Sequence, residues 1–173
     1  MFGNILVVML LFQVGAPVFT ATPGESGVWL LKNEVWLPML SASVAGANTR
    51  GINNYIYTGG YSNLDIDISL AGPKAALRTS DREPVFIARP DGDGFEPVLV
   101  RLEKKKDRRI CRTRPSSGST GNKQGFRKQD IVQTVLTVNP DESFTVRPER
   151  PLKPGEYLLV TGAPSSGRDF GVD

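Results

Sequence analysis

The stretch "LDIDISL" at residues 64–70 carries the clearest structural signal in the chain. Its aliphatic and polar residues alternate strictly, with Leu64, Ile66, Ile68 and Leu70 set against Asp65, Asp67 and Ser69. A period of two directs successive side chains to opposite faces of a β-strand. We therefore predict a half-buried strand whose aliphatic face lies on a core and whose acidic face meets solvent.

Short apolar runs separated by turn signals continue on both sides of this strand. The run "GVWLLKNEVWLPM" at 27–39 predicts a hairpin turning at Lys32 and Asn33, and "DIVQTVLTV" with "SFTVRPE" around "NPDE" predicts another. The Gly- and Asn-rich stretch 41–63 predicts a long loop or one helical turn. About ten short strands, with turns every eight to twelve residues, are typical of an antiparallel sandwich or barrel.

The motif "LKPGEY" at 152–157 favours the sandwich over the barrel. Leu152, Gly155 and Tyr157 have the spacing of a tyrosine corner, in which the Tyr hydroxyl bonds a backbone group slightly upstream. We predict an all-β fold, an antiparallel immunoglobulin-like or Greek-key sandwich, with a β-barrel as the alternative.

The N-terminus predicts export. Residues 5–14, "ILVVMLLFQV", form an uncharged apolar run too short to cross a membrane comfortably, and Gly15 and Pro17 follow it. The preceding "MFGN" contains no Lys or Arg, so a buried N-terminal strand stays open as an alternative. We assign 1–24 to a signal peptide, or to a single N-terminal membrane anchor if it is uncleaved, and 25–173 to one β-sandwich domain.

Several motifs follow one another along the chain: "GVW", "AALR", "PVFIAR", "VLVRLEKKKDRR", "PGEYLLV" and a terminal "DFGVD". In this order they resemble a group of uncharacterised exported bacterial proteins, over nearly everything after residue 26. The resemblance implies export and a β-rich fold. It implies no activity, cofactor or catalytic residue.

The composition excludes several kinds of catalytic site. The chain contains no histidine, which rules out a Ser-His-Asp triad, a Cys-His pair and any His-bearing zinc site. Cys111 is the only cysteine, and we predict that it is a small buried apolar residue. We predict no enzymatic activity, no catalytic residues and no cofactor. A carboxylate-based hydrolase is the remaining enzyme hypothesis, but the pattern places Asp65 and Asp67 on the solvent face.

The loop "DGDGFE" at 91–96 matches a calcium-binding loop in part. Asp91 and Asp93 occupy the first two acidic positions of an EF-hand loop, positions 1 and 3, whereas Phe95 and Leu102 stand at positions 5 and 12, where acidic ligands belong. Asp91 and Asp93 are therefore the candidate calcium ligands. A hairpin loop that uses its glycines for positive φ is the preferred interpretation.

Positive charge is concentrated in one segment. The net charge is +3, but residues 101–128 hold eleven basic and two acidic residues, a net of +9, which leaves −6 for the rest. Exposed Lys and Arg on a strand discourage edge-to-edge association, so we interpret 101–114 as a solvated hairpin. The alternative is a site for a polyanion (acidic glycan, lipid headgroup or nucleic acid) formed by Lys104, Lys105, Lys106, Arg108 and Arg109. Because 101–114 contains no aromatic residue for base stacking, nucleic acid is the least favoured of these ligands.

These features together predict a non-enzymatic β-sandwich that is periplasmic, part of the cell envelope or secreted. It would bind an unidentified protein or serve as a structural component of the envelope. The opposite charges of 101–128 and the remainder favour an acidic protein surface or head-to-tail self-association.

Overall fold

The computed structural model describes residues 26–50, 65–90, 96–113, 125–162 and 167–173. Within these ranges the structure contains fourteen β-strands and no α-helix. The described residues therefore include no helix long and apolar enough to cross a membrane. The predicted export segment and the calcium candidates Asp91 and Asp93 lie outside the described residues. All strand pairs are antiparallel except one.

The first sheet has the order β11-β12-β6-β1-β2. Its strands are, in that order, Thr134–Val138, Phe144–Pro148, Phe86–Arg89, Gly27–Lys32 and Val35–Pro38. The predicted hairpin β1–β2 is confirmed, but its turn lies one residue later than predicted, at Asn33 and Glu34, which both have positive φ (51° and 65°). Two consecutive positive φ values give a turn whose twist matches that of the flanking strands.

The middle sheet has the order β10-β7-β13-β14-β5, and its β14–β5 pair is the parallel one. Its strands are Ile131–Val132, Val98–Arg101, Gly155–Val160, Arg168–Val172 and Arg78–Thr79. The third sheet has the order β3-β4-β9-β8, with strands Val44–Arg50, Asp65–Ala71, Arg108–Thr113 and Glu103–Lys104. The prediction of a loop or helical turn for 41–63 is wrong for Val44–Arg50, because pairing with β4 imposes a strand on a segment of low strand propensity.

The middle sheet is buried on both faces and separates two hydrophobic cores. The first core, shared with the first sheet, includes Val28, Leu30, Phe86, Leu99, Val146, Tyr157, Leu159 and Phe170. The second core, shared with the third sheet, includes Ile68, Leu70, Val100, Cys111, Phe126, Leu158 and Val160. Strand β13 serves both cores because its side chains alternate between the two faces. The three open sheets therefore form a layered antiparallel β-sandwich, which confirms the predicted fold class and not the barrel.

The tyrosine corner is confirmed. The Tyr157 hydroxyl donates a hydrogen bond to the Lys153 carbonyl at 2.6 Å, and Leu152 is buried beside it. The Tyr157 ring stacks on Phe170 with a centroid separation of 5.5 Å. Burial raises the pKa of Tyr157 above its ordinary value. The immunoglobulin-like topology that the corner suggested stays a prediction.

Candidate functional site

Arg101 ends β7, and the described basic residues from Lys104 to Arg112 lie on the hairpin β8–β9, where they do not form a single cationic face. Lys104, Lys105, Lys106 and Arg108 are exposed, as the polyanion hypothesis requires. Arg109 is 3% exposed, so its inclusion among the surface cations is wrong. Arg109 lies opposite Leu70 in β4, on the face of the third sheet that covers the second core. The sequence shows that a side chain is positively charged, but the face of the sheet on which it lies depends on the strand register.

Arg109 belongs to a set of charged residues between the third and middle sheets. Its guanidinium forms an ion pair with Asp169 and donates hydrogen bonds to the carbonyls of Ala71 (2.7 Å) and Gly72 (3.1 Å). A buried charge is tolerated where such partners replace water.

Arg78 extends this set towards β5. Arg78 Nη1 lies 2.8 Å from Glu156 Oε1, and Arg78 Nε donates to Asp173 Oδ1 at 2.9 Å. This hydrogen bond holds the pKa of Asp173 below its usual range. Glu156 also accepts a hydrogen bond from the Ala75 amide at 2.7 Å. We call Arg78, Arg109, Glu156, Asp169 and Asp173 the interlayer ion cluster. No local sequence pattern predicted this cluster, although the terminal "DFGVD" motif supplies two of its acids, Asp169 and Asp173.

Asp67 is also buried, at 3% exposure, and the prediction that it faces solvent is wrong. The predicted alternation of β4 holds, because Ile68 and Leu70 enter the second core and Asp67 points to the other face. On that face Arg50 Nε (2.6 Å) and Arg112 Nε (2.8 Å) bind its carboxylate and cover it. Asp65 is half-buried.

The ion pairs on this face continue into the basic hairpin. Arg112 Nη2 lies 2.6 Å from Glu103 Oε2, and Lys105 pairs with the other Glu103 oxygen. The hydrogen bond from Lys105 lowers the pKa of Glu103. Arg108 lies 3.5 Å from Asp107, whereas Lys104 and Lys106 have no ion pair among the described residues. Within the described part of the hairpin, Lys104 and Lys106 therefore carry the positive charge that no carboxylate neutralises.

The outward face of the first sheet contains a groove of about 380 Å³, which we call the outer groove. Its apolar part consists of Leu31, Trp36, Val85, Ile87 and Pro140. Its polar part consists of Asn139, Asp141, Ser143, Thr145 and Arg147. Strands β1, β2, β6 and β12 and the turn after β11 each contribute, so no single sequence segment contains the groove.

Hydrogen bonds order the polar rim of the outer groove. Ser143 Oγ donates to Asp141 Oδ1 at 2.7 Å and accepts from Asn139 Nδ2 at 2.9 Å. The first of these bonds lowers the pKa of Asp141, and Arg89 forms an ion pair with the same carboxylate. The turn also holds Glu142 at a φ of 64°. The rim is thus set in place by its own contacts before any ligand arrives.

A second cavity, of about 360 Å³, lies beside the tyrosine corner. It is lined by Arg101, Val132, Gln133, Glu149, Arg150, Pro151, Leu152, Lys153 and Tyr157. This cavity and the outer groove contain one carboxylate each, Glu149 and Asp141, whereas a glycosidase needs two carboxylates about 5–10 Å apart. They therefore lend the hydrolase hypothesis no support. The described part of the chain also contains no group of three acidic or Cys residues that could hold a metal ion.

Cys111 lies fully buried in the second core, as predicted. Burial, together with the nearby charges of Asp130 and Asp67, raises the pKa of its thiol to about 12. A thiol with so high a pKa is almost entirely protonated at neutral pH and is a poor nucleophile.

Comparison of the chain with family models, with curated proteins and with solved structures finds no match. A functional assignment therefore has to be argued from these sites themselves.

Proposed function

We propose that the protein is an exported, non-enzymatic β-sandwich that binds a partner protein or an envelope component through the outer groove. The observation that carries this proposal is the apolar floor of the groove. The solvent face of an antiparallel sheet is ordinarily polar, yet here Leu31, Trp36, Val85 and Ile87 line one concave surface.

The groove has the general composition of a binding site. Such sites are concave and mostly apolar, with a few polar groups that orient the ligand. The indole of Trp36 offers a rigid aromatic wall, and aromatic residues are enriched where binding energy is concentrated. Asp141 and Arg147 provide one negative and one positive group on the rim. Export is supported by the apolar run at 5–14 and by the resemblance to exported proteins.

The test of the groove is capture from an envelope extract with three immobilised proteins: wild type, Ile87→Glu and Val35→Glu. Val35 is an exposed valine of the same sheet that does not line the groove, so it matches the change in charge and hydrophobicity. A partner retained by wild type and Val35→Glu but lost with Ile87→Glu supports the proposal. Equal capture by all three variants contradicts it.

Fluorescence gives an independent readout of the same contact. In a Trp29→Phe background the remaining indole is Trp36, which lines the groove. Addition of the purified partner should shift its emission. Export is tested separately by cell fractionation, and a cytosolic chain with an intact N-terminus would overturn that part of the proposal.

Polyanion binding by the basic hairpin is the second candidate, favoured by four exposed cations at Lys104, Lys105, Lys106 and Arg108. Retention on a sulfated resin should weaken steeply with salt, because each phosphate- or sulfate-like contact releases counterions. The variant Lys104→Glu/Lys106→Glu should elute early, and Lys32→Glu/Lys153→Glu, which changes the net charge equally at exposed sites, should not. Unchanged retention of the first variant would end this hypothesis.

A further inference from the structure

Strand β11 is unlike the other sheet edges in the described structure. The three sheets have six edge strands: β11, β2, β10, β5, β3 and β8. Proteins protect such edges with short strands, proline, bulges or charges, because an exposed edge can pair with another chain. Strands β5, β8 and β10 have two residues each, β2 ends at Pro38, and β3 carries a bulge between Val44 and Gly46.

None of these protections is found in β11. Its sequence, "TVLTV", contains no charge and no proline, and all five residues pair with β12 in an unbroken register. Four of the five residues are β-branched, which favours the extended conformation. Val135 and Val138 are 53% and 66% exposed. The strand therefore has the properties that favour pairing with another strand.

The hydrogen bonds at both ends of β11 show which of its backbone groups are free for such pairing. The Asn139 amide donates to the Ser143 carbonyl, and the Glu149 amide donates to the Gln133 carbonyl. Antiparallel ladders alternate between bonded and non-bonded residue pairs, so the odd-numbered residues of β11 bond to β12. The amides and carbonyls of Thr134, Leu136 and Val138 consequently point away from β12, to the side where no described strand pairs with β11.

We propose that β11 pairs with β11 of a second copy of this chain, antiparallel and centred on Leu136. In this register Leu136 of one copy lies opposite Leu136 of the other copy, and Thr134 lies opposite Val138 of the other copy. The three residues with outward-pointing backbone groups then form three hydrogen-bonded pairs, so each of these groups is satisfied. A strand that is complementary to itself is what a twofold interface requires.

The side chains fit the same register. On the outward face Val135 lies opposite Thr137 of the partner copy, and on the inward face Thr134 lies opposite Val138. β-branched pairs of this kind stabilise antiparallel strands, and the absence of charge from β11 means that no like charges are opposed across the axis. Leu136 packs against the first core in each copy, so the two cores would meet at the twofold axis. The two first sheets would become one ten-stranded sheet.

The test is sedimentation velocity of the full chain between about 1 and about 300 μM, the range of affinities expected for a small interface. Wild type should shift from monomer to dimer within this range. The variant Val135→Lys/Val138→Lys should weaken the dimer about tenfold or more, because edge lysines resist strand pairing. The control Val35→Lys/Leu40→Lys adds the same charge at two other exposed apolar residues and should dimerise as wild type does. A monomer at every concentration, or a dimer that the first variant does not weaken, overturns the proposal.

Amide hydrogen exchange of the wild type tests the register without a mutation. The amides of Thr134, Leu136 and Val138 should become protected as concentration rises, whereas those of Val135 and Thr137 should be protected throughout. Full protection of all five amides in the monomer would show that another part of this chain covers the edge, and it would refute self-pairing. Dimerisation through β11 does not depend on ligand binding in the outer groove. The capture result for Ile87→Glu therefore tests only the groove, and sedimentation tests only the dimer.

Discussion

Replacement of Arg109 with methionine tests whether the interlayer ion cluster stabilises the contact between the third and middle sheets. Methionine keeps much of the side-chain length but removes the charge. The change leaves Asp169 without its guanidinium partner and removes the donors that bond the Ala71 and Gly72 carbonyls. Removing one partner of a buried ion pair costs about 3–5 kcal/mol. At about 2–4 °C per kcal/mol, Tm should fall by roughly 6–20 °C.

The matched control is methionine at the neighbouring position, Arg108. Arg108 is 52% exposed and lies 3.5 Å from Asp107, which is 73% exposed. Exposed pairs of this kind contribute about 0–1 kcal/mol, so this control should unfold close to wild type. Urea unfolding of wild type and both variants measures the difference in free energy of unfolding. If Arg109→Met costs no more than Arg108→Met, the assignment of Arg109 to a stabilising buried cluster is wrong.

Three further predictions concern single side chains. Tyr157→Phe removes the hydrogen bond to the Lys153 carbonyl and should lower the free energy of unfolding by about 1 kcal/mol, measured by urea unfolding; an unchanged midpoint would contradict a stabilising tyrosine corner. Cys111, with a thiol pKa raised to about 12, should react with a thiol reagent at pH 8 only as fast as the protein unfolds, and rapid labelling of native protein would refute its burial. The hydrogen bond with Lys105 lowers the pKa of Glu103 in the folded protein. The contribution of this carboxylate to stability is therefore fully present above the ordinary pKa of 4.5, and it is lost as pH falls through the lower pKa of the folded state. Glu103→Gln should therefore be less stable than wild type at neutral pH and lose this difference in acid; a difference independent of pH would contradict the cause given.

Local sequence patterns predicted most of the strands and the fold class, but not β3. Alternation predicted β4, and the L-x-x-G-x-Y spacing predicted the hydrogen bond of Tyr157, because both depend on residues close together in the chain. The stack of three sheets was not predicted. One signal was present, since the unbroken apolar run in "GEYLLV" is typical of a strand buried on both faces.

The buried ions and the outer groove depend on contacts that local patterns do not contain. Arg109 and Asp169 are 60 residues apart in the sequence. The alternation of β4 predicts that Asp67 lies on the face opposite the aliphatic residues, but it does not predict that Arg50 and Arg112 cover the carboxylate there. The groove combines side chains from several strands with a turn. Composition nevertheless predicted the burial of Cys111, because free cysteine is among the residue types most often found inside proteins.

The sharing of the middle sheet by two cores has a kinetic consequence. Strands β13 and β14 are synthesised after the strands of the first and third sheets. The apolar faces of those two sheets become buried only when β13 and β14 pack against them. Contacts of such long sequence separation slow folding. A nascent chain could thus complete neither core until β13 and β14 had been synthesised, and the apolar faces of both outer sheets would stay exposed to solvent until then.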